Sequence, residues 1–243
     1  MKSQKIFAAV LLTTALLCAQ TSGAQELRRE SRGYVTEIKK SYNAGQTGAL
    51  EMREITGDVV VKAVAGATVD IVETVHMEVF TEEEAKRVLE ACIESYAQTG
   101  SRITVEGRTR PRRSVESSFN ITVPASFTLD INTSGGDISI DRVKGNTTLR
   151  TSGGDIELLS TGGTVNAKTS GGNVVVRDAE GTVNVKTSGG DLDLERIKGL
   201  LDAATSGGNI TLRSADKEVT LRTSGGDIEI IEVAGNVVAS TSG

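Results

Sequence analysis

The sequence predicts an all-β protein: a β-solenoid of about six 18-residue rungs, preceded by a strand-rich N-terminal section with one inserted α-helix. Three observations carry this. Thr-Ser-Gly-Gly begins at Thr133, Thr151, Thr169, Thr187, Thr205 and Thr223, each start 18 residues after the last, and Thr241-Ser242-Gly243 opens a seventh copy. Apolar residues alternate twice within each copy. Gly stands at 27 and Pro at only 2, which suits many tight turns between short elements better than a flexible linker. A fixed period near 20 residues marks units that bury their apolar face only by stacking on one another.

When each copy is numbered from its Thr, positions 3 and 4 are always Gly, and position 5 is Asp137, Asp155, Asn173, Asp191, Asn209 or Asp227. Positions 6 and 8 are Ile, Val or Leu; position 15 is Val or Leu apart from Thr147; position 17 is Leu, Val or Ala. Position 13 is Gly except at Lys217. Alternation at 6 and 8, and again at 15 and 17, gives two short strands per copy with these residues inward. The glycines leave no stripe of 3.6-residue period, so helices are excluded. The Gly pair is expected to form a tight corner through backbone angles closed to other residues. Strands of successive copies would pair in parallel about 4.8 Å apart, giving a rod on the order of 30 Å long with an aliphatic interior too narrow for a ligand.

Stacking sets the position-5 residues above one another, and an unbroken column of carboxylates would repel. Asn173 and Asn209 interrupt it. The column reads as turn formation and ladder hydrogen bonding. Calcium, which favours several carboxylate and carbonyl oxygens, is the competing reading, weakened because one Asx per rung is a thin ligand set and the calcium-binding nonapeptide pattern is absent. Position 18 carries Arg150, Lys168, Lys186 and Arg222 with Ala204 and Ser240, a solvated basic edge.

Upstream, Lys2 and Lys5, the apolar run from Ile6 to Leu17 and the small residues Ser22-Gly23-Ala24 read as a secretory signal over 1–24, cleaved before Gln25. The run falls short of the roughly 20 residues needed to span a bilayer, so no transmembrane span is expected after cleavage. Residues 25–48 are polar and mixed in charge, an expected mobile lead-in. From 49 to 132 the pattern is a β section: Leu50 and Met52, Val59 and Val61, Val69 and Ile71, then Val75, Met77 and Val79 alternate. A helix is expected over about 81–98. Thr81 and Glu84 make a capping box, and Ala85, Val88, Leu89, Cys92, Ile93 and Tyr96 form one apolar stripe. The solenoid is then assigned to 133–243.

Composition narrows function. Without the first 24 residues the chain has 25 Lys plus Arg against 32 Asp plus Glu, a net charge near −7. That argues against a nucleic-acid partner, which needs a basic face. With no Trp, three Tyr and four Phe, stacking platforms for bases or sugars are not expected. Cys92, the one Cys after cleavage, reads as a small buried hydrophobe. Arg108, Arg110, Arg112 and Arg113 around Pro111 form a basic loop that no Gly-rich cradle accompanies, and it reads as solvated.

Gly57-Asp58-Val59-Val60-Val61, the helix insertion after it, Val123-Pro124-Ala125 before the repeats and the serial Ser-Gly-Gly-Asp-Ile motifs resemble a known family. It is the bacterial putative adhesins of the β-strand-repeat, or toastrack, type, a domain of unknown function. The resemblance covers roughly 49–243. It implies an envelope or surface protein and brings no catalytic residues with it.

The leading expectation is therefore a non-catalytic structural or adhesive module, exported to the periplasm or cell surface. Its partner would be an envelope protein or glycan. A self-assembling scaffold, with self-association through the solenoid end, is the alternative. A polysaccharide-acting β-helix enzyme is disfavoured: lyases gather Asp, Lys and Arg where rungs depart from the repeat, and an acyltransferase needs a His in its rungs. The one His, His76, sits among apolar strand residues. No catalytic, cofactor-binding or metal residue is assigned, and no cofactor is expected.

Overall fold

The computed structural model describes residues 26–92, 94–107 and 115–242. The expected signal segment and the arginine loop lie outside them. The described residues form β1 (Arg28–Glu30), β2 (Gly33–Asn43), β3 (Ala49–Ile55), β4 (Asp58–Val64), β5 (Thr68–Met77), α1 (Glu82–Cys92), β6 (Ser95–Thr99), β7 (Arg102–Glu106), β8 (Val115–Pro124) and β9 (Thr128–Thr133). The repeats follow as β10 (Ile138–Asp141), β11 (Thr147–Arg150), β12 (Ile156–Thr161), β13 (Val165–Lys168), β14 (Val174–Ala179), β15 (Val183–Lys186) and β16 (Leu192–Ile197). The last are β17 (Leu201–Ala204), β18 (Ile210–Ala215), β19 (Val219–Thr223), β20 (Ile228–Val233) and β21 (Val237–Thr241).

Two sheets face each other across the core. One runs β1-β2-β5-β8-β4-β10-β12-β14-β16-β18-β20, the other β21-β19-β17-β15-β13-β11-β9-β3-β7-β6. Within the repeats every pairing is parallel and in register by one period. Ile156 stands beside Val174, then Leu192, then Ile210, while Val165 stands beside Val183, Leu201 and Val219. Positions 6, 8, 15 and 17 point inward, with Leu158, Val176, Leu194, Val185 and Leu221 fully buried. The inward assignment from alternation therefore holds. No helix among the described residues is long and apolar enough to cross a membrane.

The rungs begin before the repeat does. β3 and β4 form one rung: β3 lies parallel to β9, and Val59 on β4 pairs with Ile138 on β10. β7 and β8 form another beyond it, parallel to β3 and β4. A single hydrophobic cluster runs from Ala44 to Leu221, so residue 133 starts the regular sequence but interrupts nothing in the core. Beyond β8 the first sheet turns antiparallel through β5, β2 and β1. α1 sits there on its own cluster with Ile38, Val75, Met77, Val79, Ala85 and Leu89.

Three local expectations are corrected. The lead-in is largely β2, whose Val35 and Ile38 are buried against β5. Its Glu37 and Lys39 alternate with the buried Thr36 and Ile38, a strand buried on one face that composition alone does not reveal. The helix ends by Cys92, and Tyr96 lies on β6, in a hairpin with β7 closed at Gly100. The chain there pairs with β7 instead of adding helical turns. The Gly pair does not work through unusual backbone angles: among the described residues the positive-φ glycines are Gly33, Gly45, Gly57, Gly66 and Gly100, all outside the repeat. At position 4 the reason is close approach. A Cβ on Gly172 would be driven into the carbonyl oxygen of Gly154, its equivalent one rung earlier, whereas one on Gly171 would meet nothing nearer than 3.6 Å.

Candidate functional site

The corner from position 1 to position 5 concentrates the polar side chains of the repeat. Thr169 is buried, and its hydroxyl donates to the carbonyl of Gly154, in the rung before, at 2.9 Å. Thr169 Oγ1 in turn accepts the N–H of Gly172, in its own rung, at 3.2 Å. Thr151, Thr187, Thr205 and Thr223 repeat both bonds. Position 2 is Ser, exposed in the bend that follows.

Position 5 is the second fixed bond. Asp155 Oδ1 accepts the N–H of Asn173 at 2.6 Å, Asn173 Oδ1 that of Asp191 at 2.8 Å, and Asp191 Oδ1 that of Asn209 at 2.7 Å. Asn209 does the same for Asp227, and the column starts upstream, where Asp58 Oδ1 accepts from Asp137. Asp and Asn serve equally because each offers one carbonyl-type oxygen. No group of three or more acidic, His or Cys side chains fit to hold a metal occurs among the described residues.

The other candidates scatter. Cys92 is buried on α1. His76 is on the outward side of β5, with its Nδ1 3.9 Å from Glu30. At position 18, Arg150 pairs with Asp130 at 3.4 Å and Arg222 with Asp202 at 3.1 Å. The outward face of the first sheet is laced with ion pairs: Arg177 reaches Glu157, Asp193 and Glu195, and Arg213 also reaches Asp193. Nearby, the Arg196 guanidinium holds the Asp178 carboxyl below the usual carboxylate range.

One polar group was missed. Glu73 points inward on β5 and is fully buried. It accepts a hydrogen bond from the Tyr96 hydroxyl at 2.5 Å and another from Ser117 Oγ at 2.8 Å. Burial, followed by the charge of Glu73, pushes the Tyr96 hydroxyl far above its ordinary pKa of 10.0. Lys40 lies 5.8 Å from the centre of the Tyr96 ring, within cation–π range. The signal was in the sequence: an acid at an inward position in the alternation Val69, Ile71, Glu73, Val75, Met77. Its donors, on β6 and β8, tie the outermost rung to β5.

A family model described as Toastrack DUF4097 matches residues 60–243. No curated protein matches the chain. Among solved structures, a putative adhesin from Bacteroides fragilis is 13% identical at a TM-score of 0.46, covering 84% of this chain and 96% of that one. A putative cell adhesion protein from Clostridium sporogenes is 11% identical at 0.35, covering 85% and 99%. A protein from Parabacteroides distasonis described as a putative lipid binding protein is 13% identical at 0.46, covering 84% and 96%.

Proposed function

The chain belongs to the Toastrack DUF4097 family, and on that footing we propose that it is an exported, non-catalytic binding module of the cell envelope. It works in the periplasm or at the cell surface and holds a partner without transforming it. One observation carries the reading: the side chains that could do chemistry at the repeat corners are already engaged in holding one rung to the next. Each Thr hydroxyl from Thr151 to Thr223 both donates and accepts, and each Asx from Asp137 to Asn209 gives an oxygen to the following rung. Catalysis on a solenoid needs groups free to approach a substrate. What these rungs offer instead is a stiff rod with two broad, regularly spaced polar faces. The partner is an envelope protein, a glycan or a second copy of the chain.

Crosslinking in intact cells that express the full chain, with fractionation of the envelope, tests this. The expected result is export and a crosslinked protein or glycan recovered with its own covalent structure unchanged. Retention in the cytoplasm, or a crosslinked species that the purified protein converts to product, overturns the proposal.

A further inference from the structure

Where the N-terminal strands overhang the rung corners, the surface forms a groove of about 610 Å³, within the roughly 300–1,000 Å³ of small-molecule sites. β4 and β8 run on past the level at which the repeats turn, so that Ala63, Val64 and Ala125 make an apolar wall. The floor is built from corner positions 10 to 12 of successive copies.

Repetition supplies a baseline for reading that floor. Position 11 is Val143, Ala179, Ile197, Ala215 or Val233 in the other copies, but Thr161 in this one. Position 12 is Gly only at Gly162. The two departures are adjacent, and both line the groove. Thr161 is 1% exposed, and its hydroxyl has no hydrogen-bond partner among the described residues. Buried hydroxyls are normally paired, so this one lacks an acceptor. Gly162 leaves room for the neighbouring lysine: a Cβ there would lie 3.1 Å from Lys144 Cβ and 3.3 Å from its Cγ.

The charges of the groove are matched with one exception. Arg142 pairs with Asp141 at 2.9 Å, Lys198 with Glu180 at 3.6 Å, and Asp178 with Arg196. Lys144 has no ion-pair partner among the described residues. An unmatched ammonium, an unmatched buried hydroxyl and an apolar wall complement one kind of molecule. We propose that this groove binds a small, freely diffusing amphiphilic anion, a carboxylate or phosphate monoester on a short apolar body. The anionic group lies toward Lys144 and Thr161, and the apolar body lies against Val64 and Ala125. The inference does not depend on the envelope-module reading, since a soluble ligand could bind whatever the rod attaches to.

Calorimetric titration of the full chain with decyl phosphate tests it, with inorganic phosphate, decyl maltoside and anionic phospholipid vesicles as comparisons. One saturable site for decyl phosphate is expected, with inorganic phosphate and decyl maltoside each binding at least about tenfold more weakly, because each lacks one of the two complementary parts. Lys144→Glu should weaken decyl phosphate about tenfold or more, the scale of a lost charge-assisted contact. Thr161→Val should weaken it severalfold, and Val already occupies position 11 in two other copies, so this variant is expected to fold. In the unaltered chain, methyl resonances of Ala63, Val64 and Ala125 should shift with the same saturation, which keeps the test decisive if a variant fails to fold. Absence of saturable binding, equal binding of decyl maltoside, undiminished affinity in both variants or binding only to vesicles overturns the proposal.

Discussion

Asp137 Oδ1 accepts the backbone N–H of Asp155, its equivalent one rung on, at 2.7 Å. The bond needs an oxygen on a two-carbon side chain and no charge. Asp58, Asp137 and Asp155 are successive members of the column, and like charges set opposite one another cost stability. Asp137→Asn should therefore leave stability unchanged or slightly raised. Asp137→Ala leaves an N–H without its acceptor and should cost about 1 kcal/mol. Urea denaturation of the two variants separates these outcomes; equal losses in both would show that the carboxylate charge matters in itself.

The Gly pair gives a sharper contrast. Gly172 has the carbonyl of Gly154 where a Cβ would go, and a Cβ on Gly171 would make only ordinary contacts, the nearest at 3.6 Å. Gly172→Ala is expected to cost about 3 kcal/mol or more, because backbone on both sides cannot give way. Gly171→Ala should stay within about 0.5 kcal/mol. Similar melting temperatures for the two would refute the close-approach explanation.

Thr169 bridges two rungs with one hydroxyl. Thr169→Val keeps the shape and removes both bonds, stranding a buried carbonyl and an N–H, at about 1–3 kcal/mol. Thr169→Ser restores the hydroxyl and should recover part of the loss. Chemical denaturation of the pair checks this, and a stable Val variant would mean the hydroxyl column is dispensable.

Tyr96 gives a pH dependence. Its folded-state pKa is raised by burial first and then by Glu73. The sign follows: the stabilising contribution is complete below the unfolded value near 10.0 and is lost as pH climbs from there toward the folded value, because only the unfolded chain ionises. Tyr96→Phe removes a donor from a buried carboxylate and should cost about 1–3 kcal/mol at neutral pH. The stability gap between the two proteins should narrow above pH 10. A gap constant across that range would contradict the assignment.

The regular part of this fold was legible because the period exposes itself. Ile156, Val174 and Leu192 share a column in sequence as they do in space. The two earlier rungs were hidden by order. Gly57-Asp58 stacks beneath Gly136-Asp137, yet β5, α1 and the β7/β8 rung intervene along the chain. The helix was overrun because Tyr96 fits a helical stripe as well as it fits the hairpin that claims it. The left-handed residues Arg142, Ser160, Asp178 and Arg196 at position 10 carry no glycine to announce them. Thr161 and Gly162 stand out in the sequence, but only the overhang of β4 and β8 brings them into a groove.

The central claim is that the Thr and Asx columns at positions 1 and 5 hold the rungs together by direct hydrogen bonds. A single chain with Asp137, Asp155, Asp191 and Asp227 all changed to Asn tests it most directly, by urea denaturation with EDTA and again with calcium. The expected midpoint equals or exceeds that of the unaltered protein and is identical with EDTA and with calcium for both chains. A midpoint that calcium raises in the unaltered protein, and that the four substitutions abolish, would contradict it.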